Sequence, residues 1–335
     1  MDTEFFLAGD IGGTKTTLAL FAKGVALNGP LARITLQSRN YSGLEVILDE
    51  FLSHTDFDVK EACFGVAGPV VSGRARISNL PWVIDKKKLM QAFGFSCVTI
   101  VNDLTTIANS IPLLIPDDLH TLNKGDAVKQ GAVAVIAPGT GLGEAFLSWS
   151  GERYLVFASE GGHTDFAPTN NLESDLLGFM KSRFDHVSYE RLCSGIGFPN
   201  IYTFLKENEY GAEPAWLAKR LAGADDPVPI IIDAALDDKN PCGLCKAALN
   251  TFVSILGAEA GNLALKTFSV GGVYLGGGIP PRILSTLKTG LFMKAFTRKG
   301  RMSGLLENMP VHVIVNPDAP LIGAVALRRK VKGEG

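Results

Sequence analysis

The sequence has no run of eighteen apolar residues, so nothing in it reads as a helix that spans a bilayer. It also has little charge of one sign. Lys and Arg number 32 against 34 Asp and Glu, for a net charge of -2, and the densest cluster is the three lysines at 86–88 behind Asp85. Nucleic acid and anionic membrane surfaces would find little to recognise, so neither is an expected partner. Cysteine is scarce: five residues, at 63, 97, 193, 242 and 245. An odd, scattered set fits a reducing compartment better than a disulfide framework. Cys242 and Cys245 form the one close pair, but structural zinc needs four ligands and no partner pair exists, so both are expected as free thiols near a helix start. The opening "MDTEFFLAGD" is acidic and leads into a strand, unlike a secretory signal. The expectation is a cytoplasmic α/β protein. A chain of 335 residues without a low-complexity linker suits two lobes packed across a cleft.

What the sequence does have is glycine, placed between apolar runs. Phe5 to Ala8 predicts a strand, "GDIGGT" a tight turn, and the period-two pattern after it a second strand. The turn is neither a Walker A loop, since Thr14 stands before Lys15 where glycine is needed, nor a dinucleotide fingerprint, since a strand rather than a helix follows. Gly12 and Gly13 let backbone N–H groups come close to a ligand, and Thr14 adds a hydroxyl. Asp10 ends the strand and could hold a divalent cation through water. A ligand-free hairpin would read the same way. The second unit, "GAVAVIAPGTGLGEAFLSW" at 131–149, repeats the layout, with Gly139, Thr140 and Gly141 in the turn. Two such hairpins, one per lobe, could grip a polyphosphate. A third glycine platform, Gly276 to Gly278, precedes a Pro-started helix, where a purine could lie against the backbone; a plain helix-entry turn explains it as well.

Between these units lie a helix opening near Ser42, a short strand ending at Gly65, and the strand "FSCVTIVND" running into the helix "LTTIANSI". Residues 172–268 carry mostly helical patterns, "VHVIVNP" is a late strand, and "APLIGAVALRRK" closes as a helix.

The ordered set "GDIGGT", "VND" before a helix, "APGTGLG", "SEGGHTDF", "YERLCSG" and "YLGGGI" resembles the bacterial-type glucokinases, members of the hexokinase, heat-shock-protein-70 and actin ATPase superfamily. The likeness spans residues 5–328. It implies a two-lobed actin-like (ribonuclease H-like) α/β fold, with mixed sheets flanked by helices around a central cleft. The small domain would be residues 1–113 plus 308–335, and the large domain 114–307. It implies phosphorylation of glucose at the 6-hydroxyl, ATP and Mg²⁺ as cofactors, a hexose as small-molecule partner and a homodimer. The nucleotide would be held by Gly9, Asp10, Ile11, Gly12, Gly13 and Thr14, by Gly139, Thr140 and Gly141, and by Gly276, Gly277 and Gly278, with Asp10 reaching the metal through water.

Phosphoryl transfer needs positioning, charge neutralisation and a base for the attacking hydroxyl. Asp103, at a strand end, is the candidate base, with Asn102 orienting a second hydroxyl; capping the following helix is the competing role for Asp103. In "SEGGHTDF", Glu160 and His163 offer the short donor and acceptor arms a sugar requires. Glu190 matches the resembling family's further sugar-binding carboxylate, and Asn79 lies in a loop that family places near the sugar. A metal site at Glu160, His163 and Asp165 is the rival, with His186 the nearest extra imidazole and read as surface or structural. Other functions in play are a kinase of another hexose, a chaperone-like ATPase of the same superfamily, and a sugar sensor without turnover.

Overall fold

The computed structural model describes residues 5–22, 29–77 and 80–331. The chain forms two compact units, Met1–Ile115 with Asn316–Gly335, and Pro116–Val315.

The first unit opens with β1 (Phe5–Ile11), β2 (Lys15–Ala22) and β3 (Ala32–Gln37), a meander of antiparallel pairs. Helix α1 (Leu44–Ser53) leads to β4 (Val59–Val66), parallel to β1. A small three-stranded sheet follows, made of β5 (Val70–Val71), β6 (Arg74–Arg76) and β7 (Val83–Asp85). Then come α2 (Lys86–Phe93), β8 (Cys97–Asn102), parallel to β4, and α3 (Asp103–Ser110). The main sheet has the order β3-β2-β1-β4-β8. Strand β1 reads as a near-continuous apolar run because both its faces are covered, whereas β3 alternates half-buried and exposed residues as a strand covered on one face does. The three lysines that look like a charge block are the first turn of α2. Asp85 caps that helix by accepting from the Lys87 and Lys88 N–H groups, and Gly94 closes it with φ 66°.

The second unit begins with β9 (Leu119–Asn123), then the hairpin β10 (Val133–Pro138) and β11 (Leu142–Trp149), then β12 (Tyr154–Ser159). Helices α4 (Asn171–Lys181), α5 (Phe198–Glu207), α6 (Ala215–Ala222), α7 (Pro227–Leu236) and α8 (Gly243–Thr267) follow, as the helical patterning predicts. Helix α8 is apolar on most sides and fills the centre of this unit's core, packing on α5 and α7. Next come β13 (Gly272–Leu275), α9 (Ile279–Arg282), α10 (Leu284–Leu287), α11 (Leu291–Thr297), α12 (Ser303–Glu307) and β14 (Val311–Ile314). The Pro-started helix expected after the third glycine platform is therefore only four residues long. Strand β14 pairs with β13 and β9 inside the second unit, on the far side of a boundary drawn at 308. The chain then returns to the first unit as α13 (Ala319–Val331), whose Leu321 and Ala324 cover the β1 and β2 face formed by Phe6, Ala8 and Ala19.

The second sheet is ordered β12-β11-β10-β13-β14-β9. Counted from β10, its first five strands repeat the first sheet's plan, third, second, first, fourth and fifth in chain order, with the first three antiparallel and the rest parallel to the first, and β9, which precedes them in the chain, is added at the edge beside β14. The duplication read from the two strand-turn-strand units thus extends to whole sheets. No helix among the described residues is long and apolar enough to cross a membrane.

Candidate active site

In the first unit, the turn Gly12-Gly13-Thr14 joins β1 to β2. Gly12 N–H donates to the Lys15 carbonyl at 2.9 Å, and the Gly12 carbonyl accepts from Ser38 Oγ at 2.7 Å. A Cβ on Gly12 would come within 2.9 Å of the Lys15 oxygen, so glycine is required for the tightness of the turn. Ser38 also holds Thr16 Oγ1 at 2.9 Å, and its N–H donates to the Thr14 carbonyl. The hairpin is thus pinned from the side, and Thr14 stands exposed at its tip.

Asp10 lies just before this turn, paired in register with Gly65 of β4 and Thr17 of β2. Burial, and secondarily the nearby Asp103 carboxylate, push its carboxyl up to about 7. Asp103 is the first residue of α3. Burial raises its pKa as well, opposed by the Leu104 N–H that donates to Oδ1 at 2.9 Å. The cap of α3 is Asn102, not Asp103: Asn102 is extended (φ -63°, ψ 146°), and its Oδ1 accepts from Leu104 N–H at 3.0 Å. Asn102 Nδ2 donates to the Gly68 carbonyl at 3.3 Å, so the amide is oriented from both ends. Sequence reasoning missed Gly65 as a contributor. A Cβ there would sit 2.7 Å from Thr106 Oγ1 and 3.4 Å from the Asp103 Cα, so this glycine lets α3 lie close against β4.

In the second unit, the turn Gly139-Thr140-Gly141 joins β10 to β11. Its carbonyls are tied to the loop ahead of α5: Gly195 N–H donates to Gly139 at 2.8 Å and Ile196 N–H to Thr140 at 3.2 Å. Glu190 Oε2 accepts from the Leu142 N–H at 3.0 Å, and a Cβ on Gly141 would run into that same oxygen. The third platform joins the second. Gly277 has φ 82°, a Cβ on it would lie 2.6 Å from the Pro138 carbonyl oxygen, and Gly276 N–H donates to Ile136 at 2.9 Å.

Three of the residues expected at the sugar, Glu160, His163 and Glu190, come together in this unit, whereas Asn102 and Asp103 belong to the first. His163 Nε2 is 3.9 Å from Glu160 Oε2, and His163 Nδ1 is 3.9 Å from Glu190 Oε1. The His163 side chain is 58% exposed, so it is not an interior histidine serving only the fold. Glu160 precedes and His163 ends the 3-10 turn Gly161–His163, and Glu190 N–H donates to the Gly162 carbonyl at 2.8 Å, zipping the two segments. Asp165 instead pairs with His186 at 2.9 Å, both exposed, and no group of three or more metal-ligating side chains occurs among the described residues. Glu160, His163 and Asp165 therefore do not form the rival metal cluster. Asn79 lies outside the described residues. All five cysteines are free, with Cys242 and Cys245 buried at the start of α8.

Two sheets that share one five-strand plan, each with a glycine hairpin between the first two strands of that plan, define the actin-like ATPase fold class. The chain belongs to the glucokinase family, whose model matches residues 7–331. A glucokinase from Nostoc punctiforme is 39% identical over 332 residues, covering 95% of this chain and 97% of that one. One from Yersinia pestis is 34% identical over 331 residues, covering 99% and 98%. The crystal structure of a glucokinase from an Antarctic psychrotroph superimposes with a TM-score of 0.78 at 31% identity, covering 98% of this chain and 99% of that one.

Proposed function

We propose that the protein is a hexose kinase that transfers the terminal phosphoryl group of ATP to the 6-hydroxyl of glucose, giving glucose 6-phosphate and ADP, with Asp103 as general base. The observation that carries this reading is the state of Asp103. It starts α3 without being needed as the cap, and burial raises its proton affinity above that of an ordinary carboxylate. A positioned base of that kind contributes about 10²–10⁴-fold in rate.

The remaining roles are assigned from the resemblance, with the local geometry in support. Asn102, held at both ends of its amide and hydrogen-bonded to Asp103, is assigned a sugar contact beside the base. Glu160, His163 and Glu190 receive the ring hydroxyls, with Glu190 keeping Oε1 toward His163 while Oε2 holds β11. Asn79 is assigned a further sugar contact on the resemblance alone. The turns Gly12-Gly13-Thr14 and Gly139-Thr140-Gly141 bind phosphates through backbone and hydroxyl groups, supported by Gly9 and Ile11 in β1, and Gly276-Gly277-Gly278 supports the purine. Asp10 fits a water-mediated Mg²⁺ contact, since its carboxyl is partly buried beside another acid and gains from a nearby cation. Mg²⁺, when bound, neutralises charge on the phosphates. The expected working state is a cytoplasmic homodimer, which sedimentation equilibrium and cell fractionation check.

The test is an ADP-release assay over a hexose panel with several phosphate donors. Glucose-dependent ADP formation is expected. ADP release that ignores sugar would favour a chaperone-like ATPase, glucose binding without ADP a sensor, and preference for another hexose a different sugar kinase.

A further inference from the structure

Beneath the sugar-site residues lies a buried acid pair that the roles above do not use. Glu144 on β11 is 1% exposed and Glu259 on α8 is 0% exposed. The Oε1 atom of each has no hydrogen-bond partner, and the Glu259 charge acts on the Glu144 carboxyl. Ionised carboxylates only accept, so a single proton held between the two would satisfy an oxygen of each, as in other close carboxyl pairs. Each acid supports a different piece of the candidate sugar site. Gly161 rests directly on Glu144 Oε2, where any Cβ would collide with that oxygen, and the turn it belongs to carries Glu160 and His163. Gly161 N–H is held by Ser159 Oγ at 3.0 Å, and Ser159 is the ladder partner of Glu144. Glu259 Oε2 accepts from Asn262 Nδ2 at 2.8 Å, and the same Nδ2 lies 3.0 Å from the Tyr189 hydroxyl, next to Glu190 in sequence.

We propose that Glu144 and Glu259 are positioning residues that share one proton and hold the Glu160–His163 turn and the Tyr189–Glu190 segment in register for sugar, so that glucose affinity falls when that proton is lost. The proposal rests on the sugar-site reading given above. Loss of the proton would put two adjacent negative charges in a buried site, and the pair would separate against one or both segments it supports. Burial, then the Glu259 charge, raise Glu144 to about 8, which puts the transition above neutrality. The other ionisable groups around the pair are Lys266 on α8, 3.8 Å from Glu259 Oε1, Lys299 beyond α11, bonded to Asn262 Oδ1 and the Ala258 carbonyl, and Tyr189, Cys193 and Glu173. Burial lifts Tyr189 and Cys193 and lowers Lys299, so a variant must separate the carboxyl from the lysine.

The experiment measures glucose KM and kcat of the whole enzyme from about pH 6.5 to about pH 9.5, with melting temperatures alongside. Wild type is expected to lose glucose affinity about fivefold across pH 8, the equivalent of about one hydrogen bond, with kcat much less affected. Glu144→Gln and Glu259→Gln keep one donor between the side chains without a titrating proton there. Each should give a glucose KM near the neutral wild-type value and flat with pH. A flat wild-type profile overturns the proposal, and so does an alkaline rise that persists in both glutamine variants, since that would belong to Lys299. Glu160→Gln at neutral pH serves as the separate check on the sugar site: unchanged glucose affinity there refutes the underlying reading, whereas weakened affinity leaves the acid pair to be judged on its own profile.

Discussion

Asp103 and Asn102 are neighbours of similar size and similar capping tendency, and the sequence does not decide between them. Both are favoured N-caps, so the candidate base could equally have been spent on closing a helix. Backbone geometry assigns the cap to Asn102 and leaves Asp103 one residue further on, inside the first turn. Two outcomes follow. Asp103→Asn should lower kcat by about 10²–10⁴-fold while glucose affinity and melting temperature stay close to wild type. Asn102→Ala should cost about 1 kcal/mol of stability through the lost cap, read by denaturant unfolding. Wild-type-like turnover in Asp103→Asn would remove it from the chemistry. Asp10 adds a pH signature. Its folded pKa of about 7 lies above the unfolded value of 3.8, so the folded state binds more protons between them and stability falls as pH rises through that window. Asp10→Asn should therefore gain on the order of 4 kcal/mol over wild type at pH 8 and little at pH 4, in metal-free buffer.

The elements that carry the site were legible because their signals are local. A glycine-hydroxyl turn between two apolar runs announces a hairpin at both 12–14 and 139–141, and both formed. The segments 32–37, 83–93, 119–123 and 154–159 received no assignment, although they form strands and a helix. Most are short, and the clearest helix among them, α2, is masked by its own first turn, where three lysines hide the cap at Asp85. The close approaches were not legible either, because a glycine in a strand does not say what lies against it. Gly65 is the case with the sharpest consequence. Gly65→Ala would force Thr106, and with it the start of α3, away from β4. A cost of about 1–3 kcal/mol is expected, with kcat reduced because Asp103 moves with the helix. Gly178→Ala is the matched control: it lies inside α4 with nothing within 4 Å of a new Cβ, so it should stabilise by about 1 kcal/mol with kcat unchanged. Equal effects from the two substitutions would show that the approach at Gly65 has no special role.

At the scale of the whole chain, two copies of one sheet plan were anticipated from two hairpins, but the point where the chain leaves the second copy was not. Strand β14 is four residues long, and its partners β13 and β9 lie about 40 and 190 residues away along the chain, so no local pattern reports its allegiance. The asymmetry this creates is testable. The second unit is continuous, Pro116–Val315, and contains its complete six-stranded sheet and the core around α8. The first unit is split, because α13 supplies Leu321 and Ala324 to the face formed by Phe6, Ala8 and Ala19, and its Gly323 packs so closely on α3 that a Cβ there would strike the Thr106 carbonyl. A fragment spanning 116–315 should therefore unfold cooperatively with native-like circular dichroism, whereas a fragment ending at residue 115 should not. Adding a peptide of residues 316–335 should restore structure to the shorter fragment. Gly323→Ala in the full chain should weaken the same packing by about 1–3 kcal/mol and reduce turnover, since α3 carries Asp103. A cooperative melt from residues 1–115 alone would mean that the sheet's inner helical face closes without α13. In that event the covering of β1 and β2 by the returning chain would contribute little to holding Asp10 and Asp103 in place.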